Sequence, residues 1–446
     1  MTRMMKDSGV EWIGEIPTDW ERTSLLNNLR TFITDGPHET PKLVDSGIPF
    51  ISVDSLNDSE DIDLSVVKKF ISEEDYNLYQ KKTHLEKGDI LFSKSATIGK
   101  TAILKNEKCM VWSPLAVIKP NNERCLTKYL YYILSCENAI KYASLQGSYN
   151  TQVNLGMRTL EKIYIPVPPL PEQQKIAAFL DEKCGAIDEI ISKTEQSIEE
   201  YKKLKQSVIT KAVTKGIRPN RPMQDSNIEW IGEIPEDWDL INIKYLKSKA
   251  KNSFVDGPFG SNLKSEHYVE NGDVYVIESG FISTGKFIYK AFKTITKEHF
   301  DTIKRSECKA QDVIIAKIGA NYGMAAELPK LDKPSVVSGN SLKITLDQSK
   351  ILNFLFVKLL EVVKKNGGYE GTVNETAQPA LSLTYLNNLK LPVPPLEEQK
   401  EIAQYLEKKC AEIDTLVEKK QQFLAEMANY KKSLIYEYVT GKKEVA

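Results

Sequence analysis

The chain contains the same ten-residue segment twice. EWIGEIPTDW occupies residues 11–20 and EWIGEIPEDW occupies residues 229–238, so nine of ten positions agree. A second pair of segments, at 166–188 and 392–414, agrees at 14 of 23 positions with an offset of 226 residues. A long internal repeat constrains the fold strongly, because both copies are expected to form the same structure. The sequence therefore predicts two copies of one unit, at about 7–216 and 225–442.

Each copy closes with a long charged helix. Apolar or small residues recur at steps of three and four from 176 to 208, and the second copy keeps this register from 402 to 438. Such spacing is typical of a coiled-coil seam. The preceding PVPPL predicts an extended run that fixes each helix start, and Gly216 and Gly441 predict the helix ends. The residues predicted to form the seam are Ile176, Leu180, Ile187, Ile191, Ile402, Leu406, Ile413 and Val417.

A helix with such a seam needs a partner. One interpretation is a generic coiled coil that dimerises with another chain. Because both helices carry the same register, we favour the alternative, in which two long antiparallel helices of one chain pair with each other. The chain would then be a dimer fused into one polypeptide, with an approximate two-fold axis relating the copies.

The segments between the repeated parts resemble each other only weakly, but in the same order. Residues 71–94 and 295–317 each predict a short helix, a turn and a strand, and amphipathic helices are predicted at 126–143 and 350–365. The predicted fold class is α+β (mixed α/β), with two globular domains of one plan and divergent loops, which is how a binding surface is varied. The predicted parts are an arm at 1–20, a first domain at 21–165, a first coiled-coil helix at 166–216, a linker and repeated arm at 217–238, a second domain at 239–391 and a second coiled-coil helix at 392–446.

Composition excludes several functional classes. The formal net charge of −1 argues against a uniformly basic nucleic-acid binder, but it allows local basic faces. No signal-peptide-like start and no apolar run of membrane-spanning length occur, so a soluble cytoplasmic protein is expected. Six cysteines without a CxxC pair and four histidines argue against a zinc site and favour reduced thiols.

Each catalytic motif for which the sequence can be checked is absent or incomplete. The GKT at 99–101 would suggest a phosphate loop, but the first glycine of that motif would fall on Lys94. Basic and aromatic residues alternate at 281–305, which is consistent with a solvated amphipathic segment or with a face that follows DNA phosphates. Lys94 and Lys317 end corresponding predicted strands, where each is either a surface lysine or a contact to phosphate or base.

Several segments together resemble a known family. They are SGVEWIGEIPTDW (8–20), GDILFSKSATIG (88–99), QDVIIAKIGANYG (311–323), TAQPALSLTYLNNLKLPVPPLEEQKEIA (376–403) and the duplicated helices. In this combination the chain resembles, over nearly its whole length, the specificity subunit of type I restriction–modification systems. Residues 149–160 depart from the family's pattern, because they lack the Gln-Pro pair present at 378–379.

The resemblance implies a non-catalytic function in DNA recognition. Each divergent domain would be a target recognition domain that reads one half of an asymmetric, bipartite double-stranded DNA target. The paired helices would set the gap between the halves and dock two modification methyltransferase subunits. S-adenosylmethionine would bind in those partners, restriction and translocase subunits would complete the complex, and this chain would hold no cofactor.

Base discrimination requires polar side chains on loops between elements. The candidate DNA-binding residues are His38, Lys94, Thr97, Lys100, Gln146, Tyr149, Asn262, Lys264, Lys317, Asn321, Tyr322 and Tyr369. Two rival hypotheses remain open: a non-enzymatic coiled-coil adaptor with two protein-binding domains, and a stand-alone nuclease or methyltransferase. The adaptor predicts no salt-dependent DNA affinity, and the enzyme predicts activity from this chain alone.

Overall fold

The computed structural model describes residues 3–57, 59–95, 97–105, 108–146, 148–149, 153–258, 260–283, 285–319, 321–370 and 380–445. The chain forms two compact units. Unit 1 comprises residues 1–196 and 420–446, and unit 2 comprises residues 197–419. Each of the two long helices of the chain therefore contributes residues to both units.

Unit 1 begins with the N-terminal arm and contains the first divergent domain. Its strands are β1 Met5–Asp7, β2 Glu15–Pro17, β3 Glu21–Ser24, β4 Thr34–Asp35, β5 Leu43–Val44, β6 Ile48–Ile51, β7 Phe70–Ile71, β8 Ile90–Ser93, β9 Thr101–Ile103, β10 Met110–Val111, β11 Leu115–Ile118, β12 Ser148–Tyr149, β13 Val153–Asn154 and β14 Tyr164–Val167. Its helices are α1 Glu73–Thr83, α2 Thr127–Ser135, α3 Glu137–Leu145, α4 Met157–Glu161 and the first part of α5 Leu170–Lys215.

Unit 2 repeats this order with the second arm and the second divergent domain. Its strands are β15 Met223–Asp225, β16 Glu233–Pro235, β17 Asp239–Asn242, β18 Phe254–Asp256, β19 Val274–Ile277, β20 Ile282–Ser283, β21 Lys286–Phe287, β22 Lys293–Ile295, β23 Glu307–Cys308, β24 Val313–Ala316, β25 Ala325–Glu327, β26 Ser335–Val337, β27 Ser341–Ile344 and β28 Lys390–Val393. Its helices are α6 Ile243–Leu246, α7 Lys297–Thr302, α8 Asn353–Lys365, α9 Leu383–Asn388 and the first part of α10 Leu396–Val439.

The two domains share one sheet topology. A four-stranded antiparallel sheet has the order β4-β11-β8-β9 in unit 1 and β18-β27-β24-β25 in unit 2. A second sheet contains a parallel pair in each unit, β6 with β10 and β19 with β26. Each domain is closed at its base by an antiparallel pair, β3 with β14 and β17 with β28. The first and last strands of each domain therefore lie side by side, and the last strand leads directly into a long helix.

The long helices begin and end where the sequence predicts. α5 starts at Leu170 and α10 at Leu396, each directly after a Pro-Pro pair that follows an extended strand. Gly216, directly after α5, has φ +74°, and Gly441, shortly after α10, has φ +70°. Glycine adopts this left-handed conformation at little cost, and it commonly terminates helices for that reason.

Within unit 1 the first part of α5 packs against the last part of α10. The rings of Phe179 and Tyr438 lie 4.5 Å apart, and the Lys431 Nζ lies 2.6 Å from Asp188 Oδ1. Residue numbers rise along α5 as they fall along α10, so the two segments are antiparallel. Ile176, Leu180 and Ile187 are buried in the core of unit 1 together with Leu434, Ile435 and Val439, and Ile191 is half-buried.

Unit 2 contains the same pairing with the helices exchanged. The Lys205 Nζ lies 2.6 Å from Asp414 Oδ1, the same salt bridge as in unit 1 displaced by the 226-residue offset. In its core Ile402 and Leu406 of α10 pack with Ile209, Ala212 and Val213 of α5, while Ile413 is buried and Val417 half-buried. These contacts confirm that the two helices pair within one chain.

The amphipathic segment at 126–143 forms two helices rather than one. The chain is extended at Cys136, between α2 and α3, and this break lets Ala139 and Ala143 of α3 face the core that α2 fills with larger residues. All six cysteines are free thiols, and only Cys410 is not fully buried. Among the described residues, none of the helices has the length and hydropathy needed to cross a membrane.

Candidate nucleic-acid interface

The repeated arm of unit 1 is fixed to the first turn of α5 by a charged cluster. The Arg3 guanidinium lies 3.0 Å from Asp19 Oδ2 and 2.9 Å from Glu172 Oε2, and the Trp20 Nε1 donates to Glu172 Oε2 at 3.0 Å. The hydrogen bond to Glu172, with that to Asp19, raises the pKa of Arg3 despite the opposing effect of burial. The arm and the long helix are thereby held as one body in this unit.

Unit 2 builds the same cluster from the second copy. Burial alone would lower the pKa of Arg221, but hydrogen bonds to Glu398 and Asp237 raise it. The Trp238 Nε1 donates to Glu398 Oε2 at 3.1 Å. The repeated tryptophans at the ends of the arms and the glutamate of PVPPL-x-EQ thus recur in the sequence because they form one anchor, made once in each unit.

The glutamine that follows this glutamate connects the helix to the domain. In unit 1 the fully buried Gln173 accepts a hydrogen bond from the Leu126 N–H at 2.8 Å and donates to the carbonyls of Arg124 and Pro168. Gln399 makes the same three bonds in unit 2, with Leu352, Lys350 and Pro394. Sequence reasoning noted the motif but missed this role, because two of the three partners in each unit lie 47 and 49 residues away along the chain.

A second repeated motif, Asp-Gly-Pro at 35–37 and 256–258, was also missed. A Cβ on Gly36 would lie 1.8 Å from the Val111 carbonyl oxygen, and one on Gly257 would lie 1.9 Å from that of Ser338. Only glycine fits such a close approach of two backbone segments. The motif brings the buried Asp35 and the largely buried Asp256 to the end of the strand that each domain places at the edge of its antiparallel sheet.

The predicted residues Lys94 and Lys317 meet these aspartates. The Lys94 Nζ lies 3.4 Å from Asp35 Oδ2, and the Lys317 Nζ lies 3.5 Å from Asp256 Oδ2. The Lys94 carbonyl accepts from the Leu155 N–H at 2.8 Å, and the Lys317 carbonyl accepts from the Leu381 N–H at 3.0 Å. Since Lys94 is only 8% exposed, its ammonium group neutralises the buried carboxylate rather than extending into solvent.

Of the other candidate residues in unit 1, His38 lies beside Asp35 and the rest lie elsewhere in the domain. The exposed His38 Nε2 lies 3.1 Å from Asp35 Oδ2, so His38 and Lys94 share one carboxylate. Thr97 is exposed in the loop after β8, and the Lys100 Nζ lies 3.5 Å from the Val53 carbonyl. Gln146 is exposed at the C-terminal end of α3. Tyr149 lies on β12 opposite Val153, and its side chain is outside the described part of the chain, as is Gln152.

The unit 2 candidates divide into three groups. Asn262 and Lys264 are exposed, and the Asn262 carbonyl lies 3.0 Å from the His299 Nε2. Asn321 follows Lys317 in the same loop, and its Nδ2 donates to the Ile282 carbonyl at 3.4 Å. Tyr322 is half-buried beneath the Lys364 ammonium.

Tyr369 requires a correction. Its ring is 1% exposed and its hydroxyl donates to the Gly323 carbonyl at 3.2 Å. Gly323 has φ +79°, and a Cβ there would lie 2.2 Å from the Tyr369 ring. Because the ring fills the core of unit 2, this placement does not fit a contact to DNA bases. Residues 378–379, the Gln-Pro pair of the resemblance, lie outside the described residues.

The basic and aromatic segment at 281–305 has a packed aromatic side and an exposed basic side. Phe281, Phe287 and Phe292 stack on one another with centroids 4.9–6.5 Å apart, which is a packing role. Tyr289 is 65% exposed, and the flanking Lys286 and Lys290 are exposed. Aromatic packing therefore holds a loop whose outer surface carries a ring and positive charge.

Neither unit assembles a metal centre from the residues described. No cluster of His, Cys, Asp and Glu side chains among the described residues could hold a metal ion. A small cavity in the apolar core of unit 1 is lined by residues such as Leu25, Phe92 and Ile133, without ionisable groups. The anchoring contacts recur in both units, whereas the exposed side chains of the loops differ.

Comparisons with known proteins agree with this organisation. The family described as the type I restriction modification DNA specificity domain matches residues 26–200 and 259–425. The MjaX specificity subunit of a type I restriction enzyme from Methanocaldococcus jannaschii is 29% identical over 449 residues, covering 97% of this chain and 96% of the relative. The MjaVIII specificity subunit from the same organism is 26% identical over 440 residues, covering 96% and 94%.

Two solved structures share the fold. A chain from a study of complex assembly and conformational transition of the type I R-M system has a TM-score of 0.70 at 14% identity, covering 96% of this chain and 99% of that chain. The HsdS subunit from Thermoanaerobacter tengcongensis has a TM-score of 0.54 at 14% identity, covering 98% and 100%. At this identity the likeness concerns the fold alone.

Proposed function

Because the chain belongs to the family of type I restriction–modification specificity subunits, we propose that its two domains select the DNA on which such a complex acts. Each domain reads one half of an asymmetric, bipartite double-stranded target. The chain contributes recognition, and the chemistry resides in its partners, where S-adenosylmethionine would bind. A cytoplasmic location follows for a protein that acts on the cell's own DNA.

The observation that carries this proposal is the contrast between shared anchors and differing loops. Equivalent buried contacts hold both domains, through Glu172 and Gln173 in unit 1 and through Glu398 and Gln399 in unit 2. The loops after equivalent strands carry different polar residues, such as Thr97 in one unit and Asn321 in the other. A scaffold that is identical beneath surfaces that differ suits the reading of two different sequences.

The long helices carry a feature suited to two copies of one partner. Ile190 and Tyr430 of unit 1 are 42% and 55% exposed, and their repeat equivalents Leu416 and Leu204 of unit 2 are 42% and 49% exposed. Isolated exposed apolar residues are common, but these occur at positions related by the 226-residue offset in both helices. We infer that each pair contacts one modification methyltransferase subunit, so that the chain recruits two.

Counting bound methyltransferase tests this inference. The substitutions Ile190→Asp and Leu416→Asp are expected to remove one partner copy each, and the double variant both, as measured by native mass spectrometry of the co-expressed complex. Phe423→Asp is the matched control, since Phe423 is 40% exposed on α10 but its repeat equivalent is Ser197. If the double variant retains both copies, the proposed contact is refuted.

Methylation mapping tests the function itself. This chain would be expressed with the methyltransferase subunit of its own system in a host without other adenine methylation, and the modified bases would be sequenced. Two different short half-sites at a fixed separation, lost when either protein is omitted, are the expected result. Folded, active partners that produce no methylation would instead favour the coiled-coil adaptor, and methylation by this chain alone would favour an enzyme.

A further inference from the structure

A buried aspartate in unit 1 holds two lysines at its two oxygens. The Lys94 Nζ lies 3.4 Å from Asp35 Oδ2, and the Lys82 Nζ, from the last turn of α1, lies 3.4 Å from Asp35 Oδ1. The Asp35 and Lys94 side chains are 2% and 10% exposed, whereas that of Lys82 is 56% exposed. Lys94 therefore neutralises the aspartate internally, and Lys82 leaves one positive charge at the surface.

Unit 2 reproduces these two contacts oxygen for oxygen, with no counterpart among its described residues to His38, whose Nε2 lies 3.1 Å from Asp35 Oδ2. The Lys317 Nζ lies 3.5 Å from Asp256 Oδ2, and the Arg305 Nη2 lies 3.1 Å from Asp256 Oδ1. The side chain of Arg305 is 58% exposed, and those of Lys317 and Asp256 are 22% and 16% exposed. A single offset of 223 residues relates Lys82 to Arg305 and Lys94 to Lys317.

We propose that Lys82 and Arg305 are equivalent contacts to the DNA backbone phosphate, each held in place by its aspartate. The proposal rests on the proposed function and adds residues that sequence reasoning did not select. A side chain that is kept in two domains with different targets cannot be what tells those targets apart. Phosphate is the part of DNA that every half-site presents, and both ammonium and guanidinium groups bind it.

The aspartate acts as a positioning residue. A carboxylate buried this deeply is costly unless it is paired, and here the pairing orders a long side chain that would otherwise be free. A cation ordered before binding loses less conformational entropy when phosphate arrives. The same carboxylate also repels phosphate, so positioning and simple electrostatics predict opposite signs when it is neutralised.

The test uses the full-length chain in complex with its methyltransferase subunit. Affinity would be measured over a salt series for two duplexes, one with the mapped target and one with both half-sites scrambled. Lys82→Ala and Arg305→Ala are each expected to weaken binding to both duplexes by the same factor, about 3- to 10-fold, and to reduce the salt slope by about one. Lys193→Ala, which removes the same charge from the exposed surface of α5, is expected to change neither quantity.

Two further variants separate positioning from charge. Asp35→Asn and Asp256→Asn are expected to weaken binding although each makes the chain less negative, and tighter binding would overturn the positioning role. Arg305→Lys is expected to bind as the unsubstituted chain does, since unit 1 uses lysine at this place. Asp256, being less buried than Asp35, gives the readout should Asp35→Asn fail to fold.

The possible failures are distinct. A loss of affinity confined to the target duplex would assign Lys82 or Arg305 to base reading and overturn the proposal. Unchanged affinity in both alanine variants would do the same, because these side chains would then lie off the DNA. If the unsubstituted complex shows no preference for the target duplex, the proposed function fails instead.

Discussion

Units 1 and 2 agree in the buried contacts that anchor each domain and differ in the connections between their equivalent strands. Trp20 and Trp238 donate to equivalent glutamates at nearly equal distances, 3.0 and 3.1 Å. By contrast, the connection from β6 to β7 (52–69) contains five acidic and two basic residues, whereas that from β19 to β22 (278–292) contains one acidic and two basic residues. The comparison separates what the shared architecture requires from what the proposed reading of two different DNA half-sites would require.

The largest expected effect comes from removing a shared tryptophan. Trp20→Ala and Trp238→Ala each empty a fully buried site and remove one of the donors to a glutamate, so each is expected to destabilise its own unit by about 3–5 kcal/mol. Hydrogen exchange read on peptides of each unit measures this. If Trp20→Ala loosened unit 2, or Trp238→Ala loosened unit 1, the two anchors would not be equivalent.

The shared glutamine is expected to have a somewhat smaller effect. Gln173→Ala and Gln399→Ala each leave buried backbone groups unpaired, which costs about 1–3 kcal/mol for each such group. Part of this cost is relieved by water, so we expect about 3 kcal/mol in either unit by the same exchange measurement. Values that differ strongly between the two variants would show that the two junctions are not energetically alike.

The connection from β19 to β22 in unit 2 sharpens the comparison, because the corresponding connection in unit 1 carries more acidic residues than basic ones. Replacing Lys286 and Lys290 together by Ser is expected to reduce the salt slope of DNA binding by about one to two while both half-sites stay unchanged. The matched substitution in unit 1, Lys68 and Lys69 to Ser, tests whether the acidic connection contributes as well. An altered second half-site in the methylation map would mean that these lysines read bases.

The smallest effect is expected at the salt bridges between the long helices. Lys431 and Asp188 in unit 1, and Lys205 and Asp414 in unit 2, lie at the surface, where such pairs contribute about 0.2–1 kcal/mol. Alanine at either lysine should therefore lower the thermal midpoint only slightly, and equally. A loss of several kcal/mol from one pair alone would show that it has a further role.

Much of the scaffold could be predicted from sequence because its determinants are local. Proline pairs set the starts of α5 and α10, the left-handed Gly216 and Gly441 follow their ends, and apolar spacing marks the seam. Repetition added information that one copy could not supply, since the same register in both helices favoured pairing within the chain.

The site was harder to predict because it forms between segments far apart in sequence. Asp35 meets Lys82 and Lys94 across three separate elements, and no local pattern reports that contact. Tyr369 was selected for its Gly-rich surroundings, yet its ring lies in the core, where Gly323, distant in sequence, makes room for it. Aligning the two copies residue by residue places Lys82 opposite Arg305 and would have revealed their shared positive charge.

The most direct test of the central claim is to make the two domains identical. Residues 239–391 would be replaced by a second copy of residues 21–165, a substitution that joins at equivalent paired strands, β3 with β14 and β17 with β28. The methylated target, mapped with the methyltransferase subunit present, is predicted to carry the first half-site in both of its halves. A target that keeps its original second half-site would contradict the account, because recognition would then reside outside the divergent domains.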